Sequence, residues 1–247
     1  MNRLDMILSQ WIRLGAKFGG TSAKRSPDIE RLIVESASVM LDMHRLHQVM
    51  ITWLIRFGEL TARHRLGVLA RQVTSPFASA ALGFTLARTQ TITKSDHFNQ
   101  AILACKALPR PQPLFEAFRR STAMVQFAEE TTCDLAREWG LWAPEEDLST
   151  ILYDDAIRPT KWIMKHNPSL KLRAIFGGKL PASILITLQA DPETGNSESA
   201  LSRAVGATLR AIRKALDHLE LCGMIERKRG TYTTSIVVIP HPSLGLL

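Results

Sequence analysis

Residues 201–230 read LSRAVGATLRAIRKALDHLELCGMIERKRG, and the fold of the C-terminal third of the chain can be predicted outward from them. Leu201 and Val205 lie four residues apart, which predicts one buried face of a short helix. Gly206 can end that helix because glycine tolerates a left-handed backbone. After a tight turn, Thr208 can cap a second helix. The stretch therefore predicts two helices joined by a turn.

The second of these helices, 208–221, has two different faces. Its predicted inner face is apolar and follows helical spacing, with Ile212, Ala215, Leu216 and Leu219. Three basic side chains project from the other side: Arg210, Arg213 and Lys214. We expect the apolar face to be buried and the basic face to be exposed.

A basic β-hairpin is predicted after Gly223, which stops the helix. Two strand-like runs, MIERKR and TYTTSIVVI, are separated by Gly230. Arg227, Lys228 and Arg229 lie at the predicted bend. Upstream, Pro181 can start a further helix whose buried face is formed by Ile184, Leu185 and Leu188, and the turn DPETGNSE ends it before Ser199 caps the short helix.

The order of helix, short helix, tight turn, third helix and basic hairpin resembles the winged helix-turn-helix of bacterial transcriptional regulators. The resemblance implies that helix 208–221 enters the major groove and that the 227–231 wing follows the DNA backbone. It implies that Arg210, Arg213 and Lys214 read bases or position the helix. It also implies that Arg227 to Arg229 bind phosphate. We complete the expected DNA-binding set with Arg203, Thr208 and Thr231.

The net charge supports DNA binding, but two features of helix 208–221 depart from the pattern of such regulators. The chain carries 31 Lys and Arg against 23 Asp and Glu, a formal net charge of +8 that attracts polyanions. However, Leu209 and Ala211 occupy outward positions where such regulators often have polar residues. Asp217 and Glu220 would repel a duplex if they came close. We therefore expect modest base specificity.

The N-terminal part predicts helices, beginning with an amphipathic one at 3–18 and followed by Ser26 as a cap. The next stripe recurs at steps of three and four from Ile29 to Phe57 and fits either a coiled-coil-like seam or a long core helix. Its members are Ile29, Leu32, Ser36, Val39, Met43, Leu46, Met50, Trp53 and Phe57. The seam alternative leads us to expect a homodimer through the N-terminal helices.

Domain boundaries follow from these patterns and from a change in charge. We expect a mainly α protein with a helical domain at 1–150, a basic connector at 151–180 and the winged helix-turn-helix at 181–247. Residues 44–88 can be read as a degenerate helix-turn-helix. However, the almost uncharged segment 77–88 lacks side chains that would bind phosphates or base edges, so we interpret this region as structural. The connector either extends the phosphate contacts or is a solvated face.

Other classes of protein are disfavoured. The longest apolar stretch, 76–87, is too short to cross a bilayer, and the N-terminus lacks an export signal, so we expect no membrane partner and a cytoplasmic location. The three cysteines lack metal or disulfide spacing. No phosphate-binding loop or catalytic motif occurs, so we expect no catalytic residue, metal or cofactor.

The sequence thus predicts a double-stranded DNA-binding protein that is not an enzyme, most simply a transcriptional regulator. One alternative is a plasmid-type replication or partition initiator, which would need a second DNA-competent winged-helix unit. The other alternative is a winged-helix protein-protein assembly module.

Overall fold

A computed structural model describes residues 2–145, 154–229 and 234–240. The protein is mainly helical, with a small antiparallel two-stranded sheet near the C-terminus, as the sequence predicts at that coarse level. It divides into two compact units. Unit 1 comprises 1–58 and 66–163, and unit 2 comprises 59–65 and 164–247.

Unit 1 is built from short and medium helices. Among the described residues, the α-helices that begin in it or pass through it are α1 (Arg3–Arg13), α2 (Ile29–Ala37), α3 (His44–Phe57), α4 (Arg63–Arg71), α5 (Pro76–Thr93), α6 (Asn99–Ile102), α7 (Thr122–Glu130), α8 (Asp134–Glu138) and α9 (Thr160–His166). Two short strands, β1 (Gln112–Pro113) and β2 (Leu141–Trp142), pair in parallel.

The ends of the first two helices follow from local capping. Asn2 and Asp5 form a capping box that starts α1, and α1 ends at Arg13 rather than at residue 18. The prediction that Ser26 caps the second helix is wrong. Asp28 caps α2 instead, accepting a hydrogen bond from the backbone N–H of Arg31, because its carboxylate also suits the positive end of the helix.

The nearly uncharged helix α5 belongs to the core of unit 1. Its side chains from Ala78 to Leu86 are buried, and Gly83 lies so close to Trp139 that a Cβ there would be 2.2 Å from the indole ring. The buried part of α5 from Ala78 to Leu86 offers no surface to a duplex. The structural interpretation of segment 77–88 stays a prediction, which the burial of residues 78–86 supports.

The apolar stripe from Ile29 to Phe57 does not form one long helix. It is interrupted between α2 and α3 by a 3₁₀ turn at Met40–Asp42. Apart from Met43, the residues of the stripe are buried within unit 1 of a single chain. Trp53 packs edge-on against Trp11 with ring centroids 5.8 Å apart. The seam is intramolecular, so it no longer supports a homodimer through these helices.

Unit 2 contains the predicted series of helices and the hairpin. Its elements are α10 (Pro168–Phe176), α11 (Leu180–Ala190), α12 (Glu198–Val205), α13 (Leu209–Leu221), β3 (Ile225–Arg229) and β4 (Thr234–Val238). The two strands are antiparallel, with Ile225 opposite Val238 and Arg227 opposite Ile236. We call this pair of strands the hairpin.

A short segment from the first half of the chain, 59–65, also belongs to unit 2. Thr61 and Ala62 are fully buried. The guanidinium of Arg173, itself buried, donates a hydrogen bond of 3.0 Å to the carbonyl of Leu60. Gly178 approaches this segment so closely that a Cβ would lie 2.4 Å from the carbonyl oxygen of Thr61. Unit 2 is therefore assembled from two segments that are far apart in sequence.

Among the described residues, no helix has both the length and the apolar character needed to span a membrane.

Candidate nucleic-acid interface

One apolar core fixes α11, α12, α13 and the hairpin of unit 2. It is formed by Leu172, Ile184, Leu185, Leu188, Leu201, Val205, Ile212, Ala215, Leu216, Leu219, Ile225 and Ile236. The predicted inner face of helix 208–221 is thus buried, as expected from its spacing. Because helical periodicity directs the remaining side chains away from this core, the outer face of α13 is presented to solvent.

The turn between α12 and α13 has the local geometry that the sequence predicts. Gly206 ends α12 in the left-handed region with a φ of 76°. Thr208 caps α13, since its hydroxyl oxygen accepts a hydrogen bond of 3.3 Å from the N–H of Ala211. Ser199, however, is not the cap of α12. Ser197 accepts the N–H groups of Ser199 and Ala200 there.

Three of the predicted cations are exposed and make no ion pair with any described residue. Arg203 lies on α12, and Arg210 and Lys214 lie on α13. Arg210 and Lys214 are four residues apart and therefore share one face of the helix. Thr208 is exposed beside them, and its hydroxyl hydrogen remains able to donate to an acceptor.

Arg213 is exposed but committed to an ion pair. Its Nε donates to Oε2 of Glu198, the first residue of α12, over 2.7 Å. The arginine side chain is 64% exposed, so solvent screens this pair and it contributes at most about 1 kcal/mol. A stronger anionic partner could therefore replace Glu198.

Arg227 is held by two carboxylates of α13. Its Nε donates to Oε2 of Glu220 over 2.8 Å, its Nη2 donates to Oδ1 of Asp217 over 2.7 Å, and Nη2 also contacts Oε2 of Glu220. The backbone N–H of Arg227 donates to Oε1 of Glu220 over 3.3 Å. Hydrogen bonding to Glu220, above all, raises the pKa of Arg227 above its ordinary value. The side chain is only 14% exposed.

The remaining predicted residues of the wing differ in how far the structure describes them. Lys228 is 62% exposed and lies 3.8 Å from a carboxylate oxygen of Glu226, which is a loose and equally exposed pair. Arg229 is the last residue of β3, but its side chain lies outside the described residues, as does the whole of Thr231.

The hydrogen bonds from Arg227 to Glu220 and Asp217 were not predicted from the sequence, although the spacing of the three residues indicates them. Side chains alternate along a strand, so Arg227 points to the same side as the buried Ile225, while Lys228 points away. On α13, Asp217 and Glu220 are three residues apart and share a face. The two acids that we expected to repel a duplex both bind Arg227 of the hairpin, whose single positive charge offsets one of their two negative charges.

The predicted basic connector at 151–180 is largely helical in its described part, through α9 and α10. In unit 2, three of its lysines are exposed: Lys165, Lys171 and Lys179. Arg173 is instead buried and bonds to Leu60, so it is not available to a phosphate.

Comparison with protein-family models, with curated proteins and with solved structures finds no match.

Proposed function

We propose that unit 2 is a winged helix-turn-helix that binds double-stranded DNA, with α13 in the major groove and the hairpin as the wing on the backbone. The observation that carries this proposal is the exposed basic face of α12 and α13. Arg203, Arg210 and Lys214 lie on it without an ion pair to a described carboxylate, opposite a fully apolar inner face. An α-helix fits the major groove, and arginine offers two donors to guanine.

Local charge supports the same proposal. From Arg203 to Thr234 there are seven basic side chains and three acidic ones. The three acids are Asp217, Glu220 and Glu226, and each lies within 4 Å of Arg227 or Lys228. The exposed cations of α12 and the first half of α13 are Arg203, Arg210, Arg213 and Lys214, and among the described residues only Glu198 forms an ion pair with one of them.

We further propose that the protein is a transcriptional regulator without catalytic activity. One DNA-binding unit joined to a separate helical unit fits a regulator better than an initiator. An initiator would need a second DNA-competent unit, and the nearly uncharged α5, which the degenerate helix-turn-helix would use, is buried from Ala78 to Leu86. A homodimer stays a prediction, which light scattering at micromolar concentration tests.

Titration of a labelled random-sequence duplex at several salt concentrations tests the DNA function directly. Affinity should fall linearly on a logarithmic plot, with a slope of about −0.9 for each phosphate contacted. Arg203→Gln combined with Lys214→Gln should flatten that slope, whereas Lys17→Gln combined with Lys24→Gln in unit 1 removes the same charge and should leave it nearly unchanged. Binding that is absent, or equally affected by both double variants, would favour the protein-protein assembly module.

A further inference from the structure

We propose that Arg227 is a positioning residue, which fixes the hairpin against α13, and that Lys228 is the wing cation that contacts the DNA phosphate. This inference rests on the proposed function. It differs from the expectation that Arg227, Lys228 and Arg229 all bind phosphate alike.

The geometry of the guanidinium carries the first step. Arg227 reaches both Glu220 and Asp217, and its own backbone N–H reaches Glu220 as well. A planar guanidinium that is hydrogen-bonded through two of its nitrogens has one orientation, unlike a lysine ammonium on a flexible chain. The bonds thus join the middle of β3 to the last two turns of α13.

Arg227 and Lys228 differ in how exposed their side chains are and in which side of β3 they lie on. Arg227 is 14% exposed, while Lys228, its neighbour on the strand, is 62% exposed and points to the opposite side. To reach a phosphate, Arg227 would have to give up its hydrogen bonds to both Glu220 and Asp217. Lys228 would leave only the loose contact of 3.8 Å with Glu226.

Arg227 and Lys228 should therefore affect DNA binding in different ways. Counterion release depends on the phosphates that a protein contacts, so loss of a contacting cation lowers the salt dependence. Loss of a positioning residue instead loosens the element that it holds. The two roles can therefore be separated although both residues are basic and adjacent.

The test compares Arg227→Gln with Lys228→Gln, since each removes one positive charge from the same strand. Lys228→Gln should make the slope of log affinity against log salt less negative by about 0.9 on a random-sequence duplex. It should leave hydrogen exchange of the hairpin amides unchanged. Arg227→Gln should change the slope by only a small fraction of that amount. In the free protein it should speed hydrogen exchange of the β3 amides by at least about tenfold, the loss expected for hydrogen bonds between charged groups.

A charge swap provides the rescue. Arg227→Glu combined with Glu220→Arg restores an ion pair between β3 and α13 at the same net charge, and should return amide exchange and affinity toward those of the wild type. If the two single variants lower the salt slope equally, Arg227 contacts phosphate and the inference is wrong. It is also wrong if Arg227→Gln leaves β3 exchange unchanged, or if the swap rescues neither property.

The proposed DNA function is tested separately by the wild-type protein. If the wild type shows no salt-dependent affinity for duplex, the DNA function and the role of Lys228 fail together. The exchange measurements, which need no DNA, then still decide whether Arg227 holds the hairpin.

Discussion

The Nε atom of Arg213 on α13 donates a hydrogen bond of 2.7 Å to Oε2 of Glu198 on α12. This pair crosses the turn between the two helices and lies at the edge of the proposed DNA-binding face. Because Arg213 is 64% exposed, the pair is weak enough for a phosphate to compete with Glu198 for the guanidinium.

Glu198→Gln should therefore strengthen binding to random-sequence duplex by about 1.5- to 5-fold, the range that an exposed ion pair of about 0.2 to 1 kcal/mol allows. The salt slope should steepen by up to about 0.9 if the released Arg213 contacts a phosphate. Glu193→Gln is the matched control, since Glu193 is another acid of unit 2 and bonds only to the amide of Asn196 among the described residues. Equal effects of the two variants would mean that only net charge matters.

Arg210 should supply base specificity, because it is exposed at the N-terminal end of α13 and is not needed for the core. Arg210→Ala should cost about 1 to 3 kcal/mol on a preferred site selected from a random DNA pool, and much less on random duplex. Folding should be nearly unchanged, which thermal unfolding checks. Lys214→Ala is the comparison, and it should weaken binding to both duplexes alike.

Equal losses of preferred and random affinity in Arg210→Ala would contradict a base contact. Specificity would then have to come from DNA shape, or from the exposed lysines at 165, 171 and 179.

Gly178 should be essential for the join between segment 59–65 and the rest of unit 2. Gly178→Ala should destabilise the protein by about 2 to 5 kcal/mol, since a strained left-handed backbone costs about 1 to 2 and the clash with Thr61 about 1 to 3. Gly177→Ala is a close control: its φ is 59° and a Cβ there meets no atom within 4 Å. It should cost only the backbone strain of about 1 to 2 kcal/mol. Thermal unfolding of both variants measures the difference, and equal losses would show that the close approach is unimportant.

The three cysteines should differ in reactivity toward an alkylating reagent. Cys222 is exposed at the end of α13, Cys133 is buried, and burial raises the pKa of the Cys105 thiol to about 11 from an ordinary value of 9.0. Since the thiolate is the reactive form, alkylation at pH 8 should be fast at Cys222 alone. Peptide mass spectrometry over time measures each site, and Cys222→Ser should abolish the fast phase. Fast labelling of the half-buried Cys105 at pH 8 would contradict its raised pKa.

The raised pKa of Cys105 also makes the free energy of unfolding depend on pH. Folding favours the protonated thiol, so its contribution is fully present below the ordinary pKa of 9.0 and is lost as the pH rises through about 11. Labelling of Cys105 should accelerate over the same range of pH.

The local elements of unit 2 can be predicted from the order of the amino acids alone. The cap at Thr208, the stop at Gly206 and the buried face of α13 follow from helical spacing and from side chains that bond to the nearest backbone groups. Such features depend on residues within one or two turns, so they can be read directly from the order of amino acids.

Which surfaces these elements bury, and which distant groups meet, depends on the packing of the whole chain. Arg227 looks like Lys228 in the sequence, but the packing of the hairpin on α13 brings Arg227 to Glu220 and leaves Lys228 in solvent. Likewise, the stripe that suggested a dimer is buried inside unit 1. Segment 59–65 joins unit 2 through Arg173, 113 residues away from Leu60. Periodicity defines an apolar or charged face, but the partner of that face depends on how the whole chain excludes water.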